Sequence, residues 1–276
     1  MSTQPLVTVI CLCYNHEDYV MEALQSVANQ MYGNVEVIIC DDASTDASKS
    51  EIEAFAQSHP DCKTIFHEQN LGNCRSFNEC LKYASGQFII DLAADDILAP
   101  DRISTGISVF EELGYDYGVL YSNAQLINAK GEPLGLHDKE DQPQGNLYQQ
   151  LVERYFICPT SMMMRREVFE VLSGYDETLS YEDFDFWIRS SRTFLYGYQP
   201  EVLVSKRILK KSLSQSQSKF ANKHQKSTLA VCRKISKLNR NMKERAALSK
   251  RVWYECGQCL KTGNLHLIPG FVGCLL

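Results

Sequence analysis

Continuous apolar runs alternate with amphipathic segments along the first half of the chain. Residues 7–12 and 35–40 are apolar runs of strand length, and each is followed by a polar turn and by apolar positions at helical spacing. Shorter apolar runs at residues 64–67 and 88–92 continue this order. Strands joined by helical crossovers form parallel sheets, so the pattern predicts an α/β domain with a mainly parallel sheet flanked by helices.

The second half of the chain has a different pattern, which predicts a mixed α+β arrangement. Residues 119–127 alternate between apolar and polar positions, and residues 128–131 have the composition of a hairpin turn. Two further strands are predicted at residues 194–198 and 202–209, on either side of a proline.

The end of the chain is strongly basic. Residues 206–251 contain fifteen Lys or Arg residues and one acid, although the whole chain has a net charge of −6. Residues 213–218 are rich in Ser and Gln and predict a linker, and residues 219–262 predict two basic helices. We therefore expect a main domain, residues 1–212, and a basic helical C-terminal extension, residues 213–276. Such a surface is usually only solvated, but it could attract anionic lipid head groups or a lipid-diphosphate acceptor.

Composition limits the class of protein. Of the 276 residues, 44% are hydrophobic and 22% are charged, as in soluble globular proteins. No stretch approaches the roughly 18 apolar residues of a membrane span, and residues 1–6 lack the start of a secretory signal. We therefore expect a cytoplasmic protein. The apolar residues 265–276 could dock on the main domain or enter a membrane surface, which would give peripheral contact with the inner face of the membrane.

The eleven cysteines are expected to be reduced, because several lie within the apolar runs of predicted core strands. Cys256, Cys259, His266 and Cys274 could in principle bind zinc, but the second pair lacks the spacing of compact zinc sites. Free thiols are therefore the expectation. Nucleic-acid binding is not expected, since the chain has no recognisable module for it.

Polar and acidic residues follow the predicted parallel strands. Tyr14 and Asn15 follow the first strand, Asp42 follows the second, and Asp95 and Asp96 follow the fourth. Ligands of open parallel sheets bind beyond the carboxyl ends of the strands. Carboxylates there would repel a nucleoside diphosphate unless a hard cation such as Mg²⁺ or Mn²⁺ lay between them. Paired aspartates also cap helices and form turns, so each pair alone has a purely structural explanation as well.

Glycine-rich phosphate loops are absent from the sequence. Neither Gly-x-Gly-x-x-Gly after the first strand nor Gly-x-x-x-x-Gly-Lys-Ser/Thr occurs, which argues against dinucleotide oxidoreductases and phosphate-loop ATPases. A metal ion bound to Asp96 is the natural substitute for such a loop.

A second group of acids lies in residues 181–189. On a helix, Phe184, Trp187 and Ile188 share one face and would pack inward, which leaves the acids near the start of the helix. Acids at that position also complement the helix dipole, and this structural explanation stays open.

Taken in order, these segments resemble the inverting family 2 glycosyltransferases with the GT-A fold, over about residues 5–212. The matching stretches are the first strand through Tyr14-Asn15, the second strand through Asp41-Asp42-Ala43-Ser44-Thr45-Asp46, Asn70-Leu71-Gly72, Ala94-Asp95-Asp96-Ile97, and Gly174-Tyr175-Asp176-Glu177 with Glu182-Asp183 and Trp187. Each stretch is common by itself. Their order and spacing are typical of the family.

The resemblance implies how a nucleotide-sugar donor is bound. Tyr14 would contact the base or the ribose, with Asn15 beside it. Asp42 would accept a hydrogen bond from uracil N3–H, and Arg75 would meet the pyrophosphate.

The resemblance also implies the metal and acceptor sites. Asp95 would hold the ribose or the metal, and Asp96 would bind Mn²⁺ or Mg²⁺. Asp183 would be the general base that deprotonates the acceptor hydroxyl. Glu182 and Trp187 would shape the acceptor site.

Two positions depart from the pattern of the family. Ala93 stands where an additional acid often gives Asp-x-Asp, and Leu209 stands where many members have a metal-binding His. We therefore expect Lys210 or Lys211 to neutralise part of the diphosphate charge.

The predicted function is inverting transfer of one sugar from a nucleoside diphosphate donor, with UDP favoured, to a glycan or lipid-linked acceptor in surface polysaccharide or glycolipid synthesis. The Gln-x-x-Arg-Trp motif of processive synthases is absent, which favours addition of a single sugar. One alternative is a non-catalytic nucleotide-sugar or glycan-binding protein that retains the fold. A nucleotidyltransferase is another, but the loop after the first strand lacks the usual glycines and basic residues.

Overall fold

Nine strands form one sheet in the computed structural model, which describes residues 4–209 and 224–276. The strands are β1 (Val7–Cys13), β2 (Val35–Asp41), β3 (Lys63–Phe66), β4 (Phe88–Ala93), β5 (Ile97–Leu98), β6 (Tyr117–Ile127), β7 (Pro133–Leu136), β8 (Met163–Arg165) and β9 (Leu195–Arg207). Their order is β3-β2-β1-β4-β8-β6-β9-β5, and β7 pairs with β6.

Helices cover both faces of this sheet. They are α1 (Val20–Ala28), α2 (Ser48–Ser58), α3 (Asn73–Leu81), α4 (Arg102–Leu113), α5 (Tyr148–Glu153), α6 (Arg166–Leu172), α7 (Asp183–Ser190), α8 (Gln225–Leu238), α9 (Met242–Thr262) and α10 (Ile268–Val272). Short 3-10 turns lie at Pro159–Ser161, Leu265–Leu267 and Gly273–Leu275.

The predicted parallel half of the sheet is confirmed. Strand β1 pairs in parallel with β2 and β4, and β2 pairs in parallel with β3. These strands read as continuous apolar runs because helices cover both of their faces, and Val9 and Ile10 have no exposed surface. The crossover helices contribute Leu24, Ile52 and Phe77 to the two cores. The architecture is the α/β fold expected from the sequence.

The second half mixes strand directions, as predicted. Strand β8 runs antiparallel to both β4 and β6, whereas β9 runs parallel to β6. The predicted turn at residues 128–131 is also confirmed: the Asn128 N–H donates to the Glu132 carbonyl at 2.9 Å, and β7 pairs with β6 beyond it.

One expectation about strands is wrong. The two strands predicted at residues 194–198 and 202–209 are the single strand β9. Its register against β6 shifts where Ser122 pairs with Gln199 and Asn123 pairs with Val202. The extra residues, which include Pro200, are absorbed at this irregularity, because a bulge tolerates a residue that has no N–H to donate.

The basic extension contains the two predicted helices, α8 and α9, and the predicted linker at residues 213–218 lies outside the described residues. Both helices share a hydrophobic core with one face of the sheet, to which Cys232 and Val252 contribute. The apolar end docks on this core through the buried Leu267 and Phe271. Among the described residues, no helix combines the length and the apolar character that crossing a membrane requires.

Candidate active site at the carboxyl edge of the sheet

The sheet brings the predicted donor-binding loops to one edge. In the register of the parallel strands, Cys13 pairs with Asp41, and Leu12 pairs with Ala93. The segments that follow these residues therefore leave the sheet side by side. They carry Tyr14 and Asn15, then Asp42, and then the pair Asp95 and Asp96.

Hydrogen bonds join the first two loops through Asn15. Its N–H donates to Ser44 Oγ at 2.8 Å, and its side-chain oxygen accepts from the Thr45 N–H at 2.8 Å. Asn15 adopts the left-handed conformation, with φ of 57°, which asparagine tolerates better than most residues. Tyr14 beside it is 46% exposed, so its ring is accessible to a ligand.

The buried carboxylate of Asp42 organises the loop that precedes α3. It accepts hydrogen bonds from the N–H groups of Leu71 and Gly72 and lies against His67 Nδ1, each at 2.8 Å. A carboxylate has about four acceptor positions, so about one remains for an outside donor. The predicted contact with uracil N3–H uses such a position and stays a prediction.

Strand β9 fixes the aspartate pair after β4. The Arg207 N–H donates to Asp96 Oδ1 at 2.8 Å, and its guanidinium donates to the Asp95 carbonyl at 3.0 Å. Arg207 is itself buried and pairs with Glu22 at 2.6 Å. The backbone and the side chain of Arg207 therefore both hold the pair in place. Asp95 is 9% exposed and Asp96 is 4% exposed.

The pKa values of both buried aspartates are raised. Burial, reinforced by the charge of Asp95, raises the pKa of Asp96 to about 7, and burial also raises the pKa of Asp95. The described residues contain no group of three acids, histidines or cysteines arranged to hold a metal. Two carboxylates nevertheless fit Mg²⁺ or Mn²⁺, because such ions commonly take their other ligands from substrate phosphates and water.

A second acidic group lies at the start of α7. Burial raises the pKa of Asp183 well above its ordinary value, and the charges of Glu182 and Asp91 add to this effect. Burial also raises the pKa of Glu182. Burial and the charge of Glu182 raise the pKa of Asp91 to about 8, and the Tyr175 hydroxyl donates to Asp91 at 3.0 Å. Asp91 was not predicted, although it is a lone acid in an apolar strand.

Lys206 on β9 is a second residue of this region that was not predicted. Burial lowers the pKa of Lys206, but the charges of Cys158, Asp96, Asp183 and Asp95 raise it more, so the net shift is upward. Both acidic groups therefore favour the charged form of Lys206. The sequence signal was only a lysine in a predicted strand, because the antiparallel pairing of β9 with β5, which directly follows Asp96, is what brings Lys206 next to the aspartate pair.

Two other predicted residues, Arg75 and Trp187, have partners within the protein. Arg75 on α3 has a side chain that is 57% exposed and pairs with Glu177 at 3.7 Å. Trp187 is 3% exposed, and its indole N–H donates to Met162 Sδ at 3.2 Å. It could therefore shape the acceptor site only by supporting residues that contact the acceptor. Lys210 and Lys211 lie outside the described residues. These assignments stay predictions.

The expected burial of the apolar face of α7 is confirmed, since Phe184, Trp187 and Ile188 are all buried. Asp185 is buried as well. Its carboxylate pairs with Arg189 at 2.6 Å and with Lys234 at 2.5 Å, so this acid has a structural role.

The fold and the site together define a class. A parallel sheet with an aspartate pair after β4 and buried acids at the start of α7 describes a GT-A protein of the nucleotide-sugar transferase type. Residues 8–173 match the model of glycosyl transferase family 2, which covers more than half of the chain. The chain belongs to this family.

Curated relatives agree with this assignment. The chain is 29% identical over 208 residues to a Rickettsia bellii protein described as an uncharacterized glycosyltransferase, covering 74% of this chain and 30% of that protein. It is also 29% identical over 220 residues to the putative glycosyltransferase EpsE of Bacillus subtilis, covering 72% of this chain and 71% of EpsE. The chain thus spans about a third of the first relative.

Solved structures share the fold. Residues 1–349 of S. aureus TarS in complex with UDP-GlcNAc have a TM-score of 0.72 and 20% identity, covering 98% of this chain and 79% of that one. The mannosyltransferase PcManGT of Pyrobaculum calidifontis, in complex with GDP-Man and Mn²⁺, has a TM-score of 0.67 and 17% identity. The match covers 99% of this chain and 74% of that one.

Proposed function

We propose that this protein transfers one sugar, with inversion, from a nucleoside diphosphate sugar to an acceptor hydroxyl. The observation that carries the proposal is the presence of two buried acidic groups, Asp95 and Asp96 after β4 and Asp183 at the start of α7, which both raise the pKa of Lys206. The first group suits a diphosphate bridged by a cation. The second suits proton removal. The solved structures with UDP-GlcNAc and GDP-Man support a nucleotide-sugar donor, and we favour a UDP-sugar.

The reaction requires one bond to form as another breaks. The acceptor oxygen bonds to the anomeric carbon, its proton passes to the Asp183 carboxylate, and the bond from that carbon to the diphosphate oxygen breaks. The electron pair of the broken bond leaves with the nucleoside diphosphate. The upward shift of the Asp183 pKa makes its ionised carboxylate a stronger base than that of an exposed aspartate, which suits general base catalysis.

Charge at the leaving diphosphate must be neutralised. Mn²⁺ or Mg²⁺ held by Asp96, with Asp95, would supply part of the positive charge. Lys206 would supply another part from the protein itself, because the charges of Asp95 and Asp96 help to raise its pKa and so favour its charged form. Lys210 and Lys211 could add to it. A preorganised cation acts most strongly in a site that excludes water.

Donor turnover distinguishes a transferase from a binding protein that retains the fold. We expect slow hydrolysis of one or more UDP-sugars in a panel of nucleotide-sugars with Mn²⁺, because water can replace the acceptor at a competent base. The measurement is release of the free nucleoside diphosphate. Donor binding without turnover, with acceptors absent or present, would instead support the non-catalytic alternative.

The acceptor is proposed to be a glycan or a lipid-linked glycan of a surface polysaccharide or glycolipid, reached at the inner face of a membrane. The support comes from the described part of the extension, residues 224–276. Its two acids, Glu244 and Glu255, are buried and pair with Arg192 and Arg251. Its exposed charged side chains are all basic: Lys226, Arg233, Lys237, Arg240, Lys243, Arg245, Lys250 and Lys261.

Apolar side chains accompany these cations on α9. Trp253 is 62% exposed, Tyr254 is 56% exposed and Leu260 is 66% exposed. A helix that presents basic residues together with aromatic and aliphatic side chains is typical of binding in the interface of an anionic bilayer. Charge complementarity therefore favours an anionic lipid surface as the partner of this face.

Charge reversal tests the membrane contact. We expect the Lys243→Glu, Lys261→Glu double variant to bind vesicles containing anionic lipid at least about tenfold more weakly, since each basic residue near such a surface contributes about 1 kcal/mol. Wild-type binding should also fall steeply with salt. The matched control is the double reversal of the exposed Lys49 and Lys139 in the main domain. Equal binding of the wild type to neutral vesicles would contradict the electrostatic contact.

A further inference from the structure

The segment that delivers Asp183 is held from two sides. We call residues 174–182, between α6 and α7, the base loop. On one side, Asn78 of α3 donates to the Tyr175 carbonyl at 2.9 Å, and Cys74 lies 3.7 Å from the Leu179 carbonyl oxygen. The other side is formed by α8 of the basic extension. The last residues of the loop contact this helix.

Two hydroxyl groups of α8 and the imidazole of its N-cap residue contact the residues just before Glu182. Ser227 Oγ accepts from the Ser180 N–H at 2.9 Å and lies 3.0 Å from Ser180 Oγ. The Tyr181 and Thr228 hydroxyls are 2.7 Å apart, and both side chains are buried. His224 Nδ1 lies 2.8 Å from Ser180 Oγ. Both Ser180 and Tyr181 are thus fixed by groups that lie about 45 residues further along the chain.

An ion pair repeats the connection further along α8. Lys234 Nζ lies 2.5 Å from both Asp176, in the base loop, and Asp185, in the first turn of α7. Asp185 is 1% exposed, so its charge has to be compensated by partners within the protein. One lysine therefore fixes the distance between the start of the base loop and the helix that begins with Asp183.

We propose that α8 is a positioning element for the general base. The basic extension would then support catalysis in addition to contacting an anionic lipid surface. This inference rests on the proposed transfer reaction. Asp183 lies two residues after Tyr181, which α8 fixes, and a displacement of about 1 Å at a reacting group can reduce a rate about 100-fold. None of these contacts of α8 involves Asp42, Asp95 or Asp96, so we expect donor binding to be unaffected by their loss.

The test removes the hydroxyls without removing the helix. In the Ser227→Ala, Thr228→Val double variant, we expect single-turnover transfer to fall about tenfold or more, because Asp183 is no longer held in place. Donor affinity should be unchanged. The Ser180 amide should exchange with deuterium faster than in the wild type. Thr228→Ser keeps a hydroxyl and should retain most of the rate.

Ser236→Ala is the matched control, because Ser236 lies on the exposed side of the same helix. A double variant that transfers at the wild-type rate, or that loses donor affinity in parallel with rate, would overturn the inference. If the wild type transfers no sugar, the proposed function fails instead. Deuterium exchange then decides the positioning separately, and unchanged exchange at Ser180 would refute it.

Discussion

Replacing Asp183 with Asn is expected to lower the rate of sugar transfer by about 10²- to 10⁴-fold while donor affinity stays nearly unchanged. An acceptor hydroxyl is a poor nucleophile near neutral pH, and its proton has to be removed as the new bond forms. Asn has nearly the shape of Asp but cannot accept that proton. The measurement is single-turnover transfer to the true acceptor, together with calorimetric affinity for the donor nucleotide.

The control for this variant has to be an aspartate outside the site. Asp185 is unsuitable, because its buried carboxylate pairs with Arg189 and Lys234 and Asp185→Asn would disturb the base loop. Asp116 is exposed and forms the matched Asp→Asn control. Wild-type transfer by Asp183→Asn would show that another group is the base, and the assignment of Glu182 and Asp183 would have to be abandoned.

The pH dependence of stability separates a catalytic loss from misfolding. Because the pKa of Asp183 is raised in the folded state, the protonated form favours folding, and this contribution to stability is lost as pH rises through the folded pKa. Asn cannot ionise. The Asp183→Asn variant should therefore melt at a higher temperature than the wild type at alkaline pH, and this difference should shrink towards acidic pH. A variant that melts lower at every pH would indicate structural damage.

Replacing Asp96 with Asn is expected to weaken Mn²⁺-dependent binding of UDP by more than about 100-fold. Residues that only orient metal ligands already contribute about 10- to 100-fold to metal affinity, and Asp96 is proposed to bind the metal directly. Asn keeps an oxygen that can accept from the Arg207 N–H, so the segment after β4 should stay in place. Calorimetry with UDP, with and without Mn²⁺, measures the effect.

Uridine provides the control for this second variant, because it has no phosphate for a metal to bridge. Its affinity should be the same in the wild type and in Asp96→Asn. Unchanged Mn²⁺-dependent affinity for UDP would assign the phosphates to Lys206 or to another cation, and the metal assignment would be withdrawn. Loss of uridine affinity would mean that the substitution disturbs the nucleoside site itself.

The sequence by itself determined the parallel half of the fold and the positions of its acids. Strands β1, β2 and β4 are apolar runs buried on both faces, and each run ends where polar residues begin. Parallel strands end at a common edge of the sheet. The change from apolar to polar residues therefore places Asp42, Asp95 and Asp96 at that edge without any knowledge of packing. The family resemblance added Asp183 by its motif.

Local pattern was less informative in the second half. Strand β9 was predicted as two strands because Pro200 interrupts its apolar alternation, and only pairing with β6 reveals that the strand continues through an irregularity. The extension was predicted correctly as two helices, since helical periodicity is a property of neighbouring residues. Its attachment to the core was not predictable in the same way.

Only the tertiary structure decided which further residues lie near the candidate site. The Arg207 N–H reaches Asp96 across 111 residues of sequence, and Ser227 reaches Ser180 across 47. Lys206, Asp91 and the hydroxyls of α8 carry no motif, because a lysine, an aspartate or a serine acquires its role here from the groups that surround it. Periodicity records which face of an element is buried, whereas strand register and helix docking determine what that face meets.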